Sequence, residues 1–177
     1  MAEQAQIDEL TMKMTAERAA LLAALESLSE EEASGSPKDG EWTTKQQMSH
    51  LCEMESAYRA WVERALEEDG ANVDGIGGDR VAIPLEDAGA HSVSEHTAEM
   101  RRQREQTMAL IASLKPEDFG RRATNSLFGS LTVMQWLRSY YRHDRMHVDQ
   151  VSGRETEYMP KFAGGAEPDQ RRAARTQ

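Results

Sequence analysis

Residues 130–153 read SLTVMQWLRSYYRHDRMHVDQVSG, and this stretch decides the fold. Val133, Trp136, Leu137, Tyr140, Met146, Val148 and Val151 recur at three- and four-residue intervals, the period of an amphipathic helix. Ser130 offers an N-cap by residue type, and Gly153 offers a stop. Inside the helix lie His143 and His147. Residues four apart differ by about 40° in direction and about 6 Å in height, so both imidazoles reach one point in space. They share the face of Tyr140 and Val151, the side that a bundle buries.

Three further helices follow from the same periodicity. The first spans about Gln4 to Leu28, with Ile7, Leu10, Met14, Leu21, Leu25 and Leu28 along its seam and Arg18 interrupting it. Residues 34–40 (SGSPKDG) are a loop by composition. The second helix opens after Trp42, with Thr43–Gln46 or Thr44–Gln47 as its capping box. Its stripe is Leu51, Met54, Tyr58, Trp61 and Ala65, and it stops before Gly70. Residues 70–90, with five glycines and Pro84, form a long connection. Ser92 and Glu95 cap the third helix, whose stripe is Val93, His96, Met100, Thr107, Ile111 and Leu114, and Lys115-Pro116 ends it. No strand-like alternation is visible. The expectation is an all-α, four-helix bundle with a long connection between helices two and three, either simple up-down or with a crossover. Residues 1–157 are read as one domain and 158–177 as a loosely ordered tail.

Composition agrees with this class. The 177 residues include 38% hydrophobic and 29% charged ones, a balance suited to narrow apolar stripes. Asp and Glu number 31 against 21 Lys and Arg, a net charge of −10, which disfavours nucleic acid as a partner. One cysteine, Cys52, leaves no internal disulfide framework. The stretch MAEQAQIDEL has neither a basic nor an apolar signal region, and no apolar run reaches membrane-spanning length. A cytoplasmic protein with a small-molecule substrate is expected.

An HxxxH pair alone is a weak signal. His50, in the first half of the second helix, strengthens it. If helices two and four run antiparallel, His50 comes level with His143 and His147. Three imidazoles with one open position suit Zn, Ni or Fe. Asp144 and Tyr140 are candidates to support the site from behind, Asp144 by orienting an imidazole or, equally, as a surface partner of Arg142 or Arg145. His91 falls in a loop and His96 on the core stripe, so neither joins the set. Cys52 is not favoured as a fourth ligand. The zinc-protease pattern HExxH is absent, because Asp144 follows His143.

The segment from Trp42 through His50 to Glu53 (WTTKQQMSHLCE) resembles the second-helix signature of the DinB-like superfamily. The segment from Gly129 through Trp136 to His143 and His147 resembles its fourth helix. Order and separation match as well, over most of residues 5–153. The resemblance implies a metal triad on His50, His143 and His147, and frequent homodimers. Its relatives include enzymes that transfer low-molecular-weight thiols such as mycothiol or bacillithiol. Three functions follow for testing: a metal-dependent thiol S-transferase acting on small electrophiles in detoxification or stress, a hydrolase using bound water with Asp144, Glu53 or Glu55 as base, and a non-catalytic dimeric metal-binding protein. The glycines at 75, 77 and 78 suit either a flexible lid over the pocket or a plain spacer.

Overall fold

A computed structural model describes residues 2–38, 40–162 and 167–171. Four long helices form the bundle: α1 (Gln4–Glu26), α3 (Thr44–Glu67), α4 (Val93–Ser113) and α5 (Val133–Val151), with a five-residue helix α2 (Glu30–Ser34) between the first two. Three of the long helices begin with reciprocal capping boxes of the S/T-x-x-E/Q type. Thr43 pairs with Gln46, Ser92 with Glu95 and Thr132 with Gln135. At α3 this selects Thr43–Gln46 over the alternative one residue later, which leaves the Gln47 side chain free for another task. Gly153, at φ +65°, closes α5, and its amide donates to the Gln150 carbonyl at 3.0 Å.

Helices α1 and α3, consecutive among the long ones, lie across the diagonal of the bundle. Each packs against both α4 and α5 instead. Contacts between α3 and α5 run 47 to 147, 55 to 140 and 58 to 136, so the partner number falls as the α3 number rises. The two helices are therefore antiparallel, and the first half of α3 stands beside the second half of α5.

The core has two parts. Around Trp61, Trp136, Tyr58, Tyr140 and Phe128, an aromatic cluster fills one end. Leu21, Leu25, Met48, Leu51, Cys52 and Met100 fill the other. Between them sits a fully buried ion cluster. Arg18 Nη2 donates to Glu55 Oε2 at 2.6 Å and to Asp144 Oδ1 at 2.9 Å. Arg104 donates to Glu55 Oε1 at 2.8 Å and to Asp144 Oδ2 at 2.9 Å. This explains the interruption of the α1 seam, because Arg18 is a core residue with two carboxylate partners from two other helices. Two guanidinium and two carboxylate groups cancel, so the desolvation of each is answered by hydrogen bonds.

Strands do occur. β1 (Ala71–Asn72) pairs in parallel with β2 (Arg122–Asn125), which pairs antiparallel with β3 (Gly129–Thr132). At two to four residues each, these strands are too short to show alternation in a sequence. They also move the start of the last helix. Ser130 lies in β3 opposite Thr124, and Thr132 is the true N-cap of α5. After α5, β4 (Tyr158–Pro160) pairs antiparallel with β5 (Asp169–Arg171) against α5. Of the basic run from Arg171 to Arg175, all but Arg171 lies outside the described residues.

The connection at 70–90 is packed rather than slack. Val73, Val81 and Ile83 are buried, Trp61 Nε1 donates to the Ile76 carbonyl at 2.8 Å, and Ser56 Oγ donates to the Asp79 carbonyl at 2.9 Å. At Gly78 a Cβ would stand 2.3 Å from the Ser56 backbone, so this glycine permits close approach to α3. No helix among the described residues is long and apolar enough to cross a membrane.

Candidate metal centre

The antiparallel packing brings His50, on the second turn of α3, against His143 and His147 of α5. One nitrogen from each ring lies within 4.8 Å of the others. His143 Nε2 and His147 Nε2 are 3.3 Å apart. Two nitrogens held at the usual Zn–N distance by one tetrahedral ion stand roughly 3.4 Å apart, so the pair already has the spacing such an ion needs. His143 and His147 are buried and His50 is half-buried.

Burial keeps the rings neutral. It lowers the His50 pKa to about 3, helped by the neighbouring His143, and that of His143 to about 4, against a partial opposing pull from Asp144. His147 is also held well below its ordinary value, by burial first and by His143 and His50 next. Unprotonated imidazole is the ligating form, so protons do not compete with a cation near neutrality.

Gln47 sets the tautomer of His147. Its Nε2 donates to the Trp42 carbonyl at 3.3 Å, which turns its Oε1 toward His147 Nδ1 at 2.9 Å. The imidazole proton is then at Nδ1, and the Nε2 lone pair faces the other rings. Sequence reasoning noticed Gln47 only as an alternative cap. The signal for more was its place one turn before His50, on the face that meets α5.

The other nominated residues sit elsewhere. Asp144, fully buried, binds Arg18 and Arg104, and has no hydrogen bond to an imidazole among the described residues. It is neither an orienting partner nor a surface ion pair. Tyr140 Oη donates to the Glu55 carbonyl at 3.3 Å. Cys52 lies outside the histidine group, and burial pushes its thiol pKa up. His96 is buried with Nε2 2.9 Å from the Ala88 carbonyl, and His91 faces Glu95. Neither lies in the three-histidine group.

Above the three rings opens a cavity of about 390 Å³, walled by Trp42, Met146 and Pro160 together with Glu41, Gln47 and Gln150. No residue of the 70–90 connection lines it, so the lid expectation fails. That segment is held on α3 away from the histidines. The donor set suits a divalent first-row cation with an open position toward the cavity.

A bundle with a three-histidine cluster on antiparallel helices defines a class, and the comparisons name it. The family profile of the DinB superfamily matches residues 13–151, and the chain belongs to that superfamily. YuaE, an uncharacterized protein of Bacillus subtilis, is 31% identical over 138 residues, which cover 72% of this chain and 85% of YuaE. YfiT of Bacillus subtilis, described as a probable metal-dependent hydrolase with an unusual four-helix bundle topology, superposes with a TM-score of 0.69 at 19% identity, over 86% of this chain and 87% of YfiT. A mycothiol-dependent maleylpyruvate isomerase superposes with a TM-score of 0.57 at 12% identity, over 82% of this chain but 60% of the isomerase. These two structures share the fold.

Proposed function

We propose that the chain is a metal-dependent enzyme that holds a divalent cation on His50, His143 and His147 and transfers a low-molecular-weight thiol to small electrophiles. The observation that carries this is the convergence of three neutral imidazoles at the base of a cavity. Structural zinc is normally closed by four protein ligands, whereas three leave a position for a reactant. When bound, the cation supplies Lewis acidity that draws the pKa of a thiol or water donor toward neutrality.

The protein's own residues divide the remaining work. Gln47 keeps the His147 proton at Nδ1, and Trp42 and Met146 give the cavity an apolar wall beside the histidines. Water attack generally calls for a protein base, whereas a thiol of lowered pKa gives its proton to solvent. The carboxylates nearest the motifs are engaged elsewhere. Glu55 and Asp144 hold arginines, and Glu53 accepts from the Leu85 amide at 2.9 Å. This favours the transferase.

Glu41 is the one carboxylate among the described residues lining the cavity, and it supports a hydrolase as the second reading. The description of YfiT points the same way, and the mycothiol dependence of the isomerase points to the first reading. Zinc as the ion, with nickel or iron as alternatives, a homodimeric state and a cytoplasmic setting belong to the same proposal.

The test is turnover by metal-loaded protein with a panel of thiols and chlorodinitrobenzene, beside p-nitrophenyl esters without thiol. Thiol-dependent consumption of the electrophile, in proportion to bound metal, is the expected result. Ester hydrolysis that disappears in Glu41→Gln would establish the hydrolase instead. No turnover of either kind by loaded protein would leave a binding protein. Equal metal content in wild type and His147→Ala would remove the site itself.

A further inference from the structure

The cavity over the histidines has a wall that the histidines do not need. Trp42 is 43% exposed, yet its ring lies against His50 with centroids 4.8 Å apart. Of the exposed large apolar side chains among the described residues, the others (Met12, Leu127, Met159 and Phe162) do not line this cavity. A large aromatic left partly open forgoes some of the stabilisation that burial gives, and here the open ring borders the cavity.

Its placement is nevertheless fixed. Trp42 precedes the Thr43 cap of α3, and its carbonyl accepts from Gln47, the residue that also holds His147. These bonds hold the Trp42 main chain, and the ring lies beside the imidazoles, with Met146 and Pro160 completing an apolar wall.

The cavity also has a polar side. Glu41 and Gln150 are shared with an adjoining cavity of about 570 Å³ that Lys38, Arg154 and Thr156 help to line. Its lining carries Lys38 and Arg154 against Glu41 and Glu155, and Lys38 faces Glu41 at 3.7 Å. A strongly charged ligand gains little there, whereas hydroxyl or amide groups find partners of both kinds. The first cavity lies at the small end of the range for small-molecule pockets, ~300–1,000 Å³, which suits a single ring with a short substituent.

We infer that the reactant received at this site has a planar, apolar body that stacks on Trp42 beside Met146 and Pro160, with its donor atom toward the histidines and any uncharged polar substituent toward Gln150. This rests on the metal reading and names the substrate class for it. Trp42 is then the residue that selects aromatic over small polar reactants. Offset stacking on an indole is worth roughly 2- to 10-fold in affinity, and burial of the rest of the ring adds to it.

The experiment uses zinc-loaded full chain and two thiols that share a head and differ in body, benzyl mercaptan and 2-mercaptoethanol. Zinc content is measured first, then both affinities by calorimetry, for wild type, Trp42→Phe and Trp42→Ala. Wild type should prefer benzyl mercaptan at least tenfold. Trp42→Phe should keep most of that preference, and Trp42→Ala should retain zinc and lose all but two- to threefold of it. Trp61 and Trp136 are buried, so benzyl mercaptan should also change the tryptophan fluorescence of wild type and leave that of Trp42→Phe unchanged. Equal affinities in wild type, an undiminished preference in Trp42→Ala, or zinc loss on that substitution would each overturn the assignment. Wild type that takes up no zinc would instead remove the metal reading, and this one with it.

Discussion

Gln47 occupies the position where one side chain's geometry has the widest effect. It joins the Trp42 backbone to His147 Nδ1, and so couples the cavity wall to the histidine cluster. Removing a group that orients a ligating imidazole typically weakens metal affinity 10- to 100-fold. Gln47→Ala should therefore bind zinc 10- to 100-fold more weakly in competition with a chelator, with its helical circular dichroism unchanged. An unaltered zinc affinity would show that His147 needs no such support. Asp144, by contrast, matters for stability. Deleting one partner of a buried ion group leaves charge uncompensated, at about 3–5 kcal/mol. Asp144→Ala should lower the melting temperature by roughly 6–20 °C in a chain of this size, and a shift under about 2 °C would contradict the buried cluster.

Two short elements carry their own tests. The connection at 70–90 touches α3 most closely at Gly78, where a Cβ would meet the Ser56 backbone at 2.3 Å. Gly78→Ala should cost about 1–3 kcal/mol in urea unfolding, while an alanine at Gly77, where the space is open, should cost much less. Equal costs would mean that the connection is not seated on α3 in this way. The C-terminal pair β4–β5 holds Asp169 buried, with Oδ2 lacking a hydrogen-bond partner among the described residues. Burial raises its pKa to about 7, with Arg142 of α5 pulling the other way, and the buried Tyr58 of α3 stands near enough to feel its charge. The folded chain thus binds this proton more tightly than the unfolded one, whose value is 3.8. Stability from this group is present below 3.8 and is lost as pH rises through about 7. Asp169→Asn should protect the Tyr158 and Met159 amides from hydrogen exchange at pH 8 and make little difference at pH 4. Equal protection at both values would exclude a titrating Asp169.

At the scale of the whole molecule, the ion cluster ties all four long helices together, because Arg18, Glu55, Arg104 and Asp144 come one from each. Burial alone would raise the Glu55 pKa, but Arg104 and Arg18 more than reverse this and hold it near 2. With an unfolded value of 4.5, the stabilisation is complete above 4.5 and disappears as pH falls toward 2. The metal-free chain should therefore unfold cooperatively in that acid window, with all four helices lost together. In Glu55→Gln the slope of stability with pH between 4.5 and 2 should be shallower. Helices lost one at a time would show that the cluster does not couple them.

Much of this was legible in the sequence. Apolar residues at three- and four-residue spacing and S/T-x-x-E/Q caps are local features, so α1, α3 and α4 were readable to within a few residues. His143 and His147 were readable as a pair because helical geometry alone puts residues four apart on one face. Their meeting with His50 was conditional, since nothing local says which helices are neighbours or how they run. Tertiary packing supplied that, with α1 and α3 on a diagonal and α3 antiparallel to α5. It also decided what periodicity cannot reach: strands of two to four residues, the shift of the α5 cap from Ser130 to Thr132, and Arg18 as a core residue. The fates of Asp144 and Gln47 depended on partners 40 to 126 residues away. The sequence determined which side chains were available to each helix face, and the packing of those faces determined which of them met, because burial selects partners by space and charge rather than by distance along the chain.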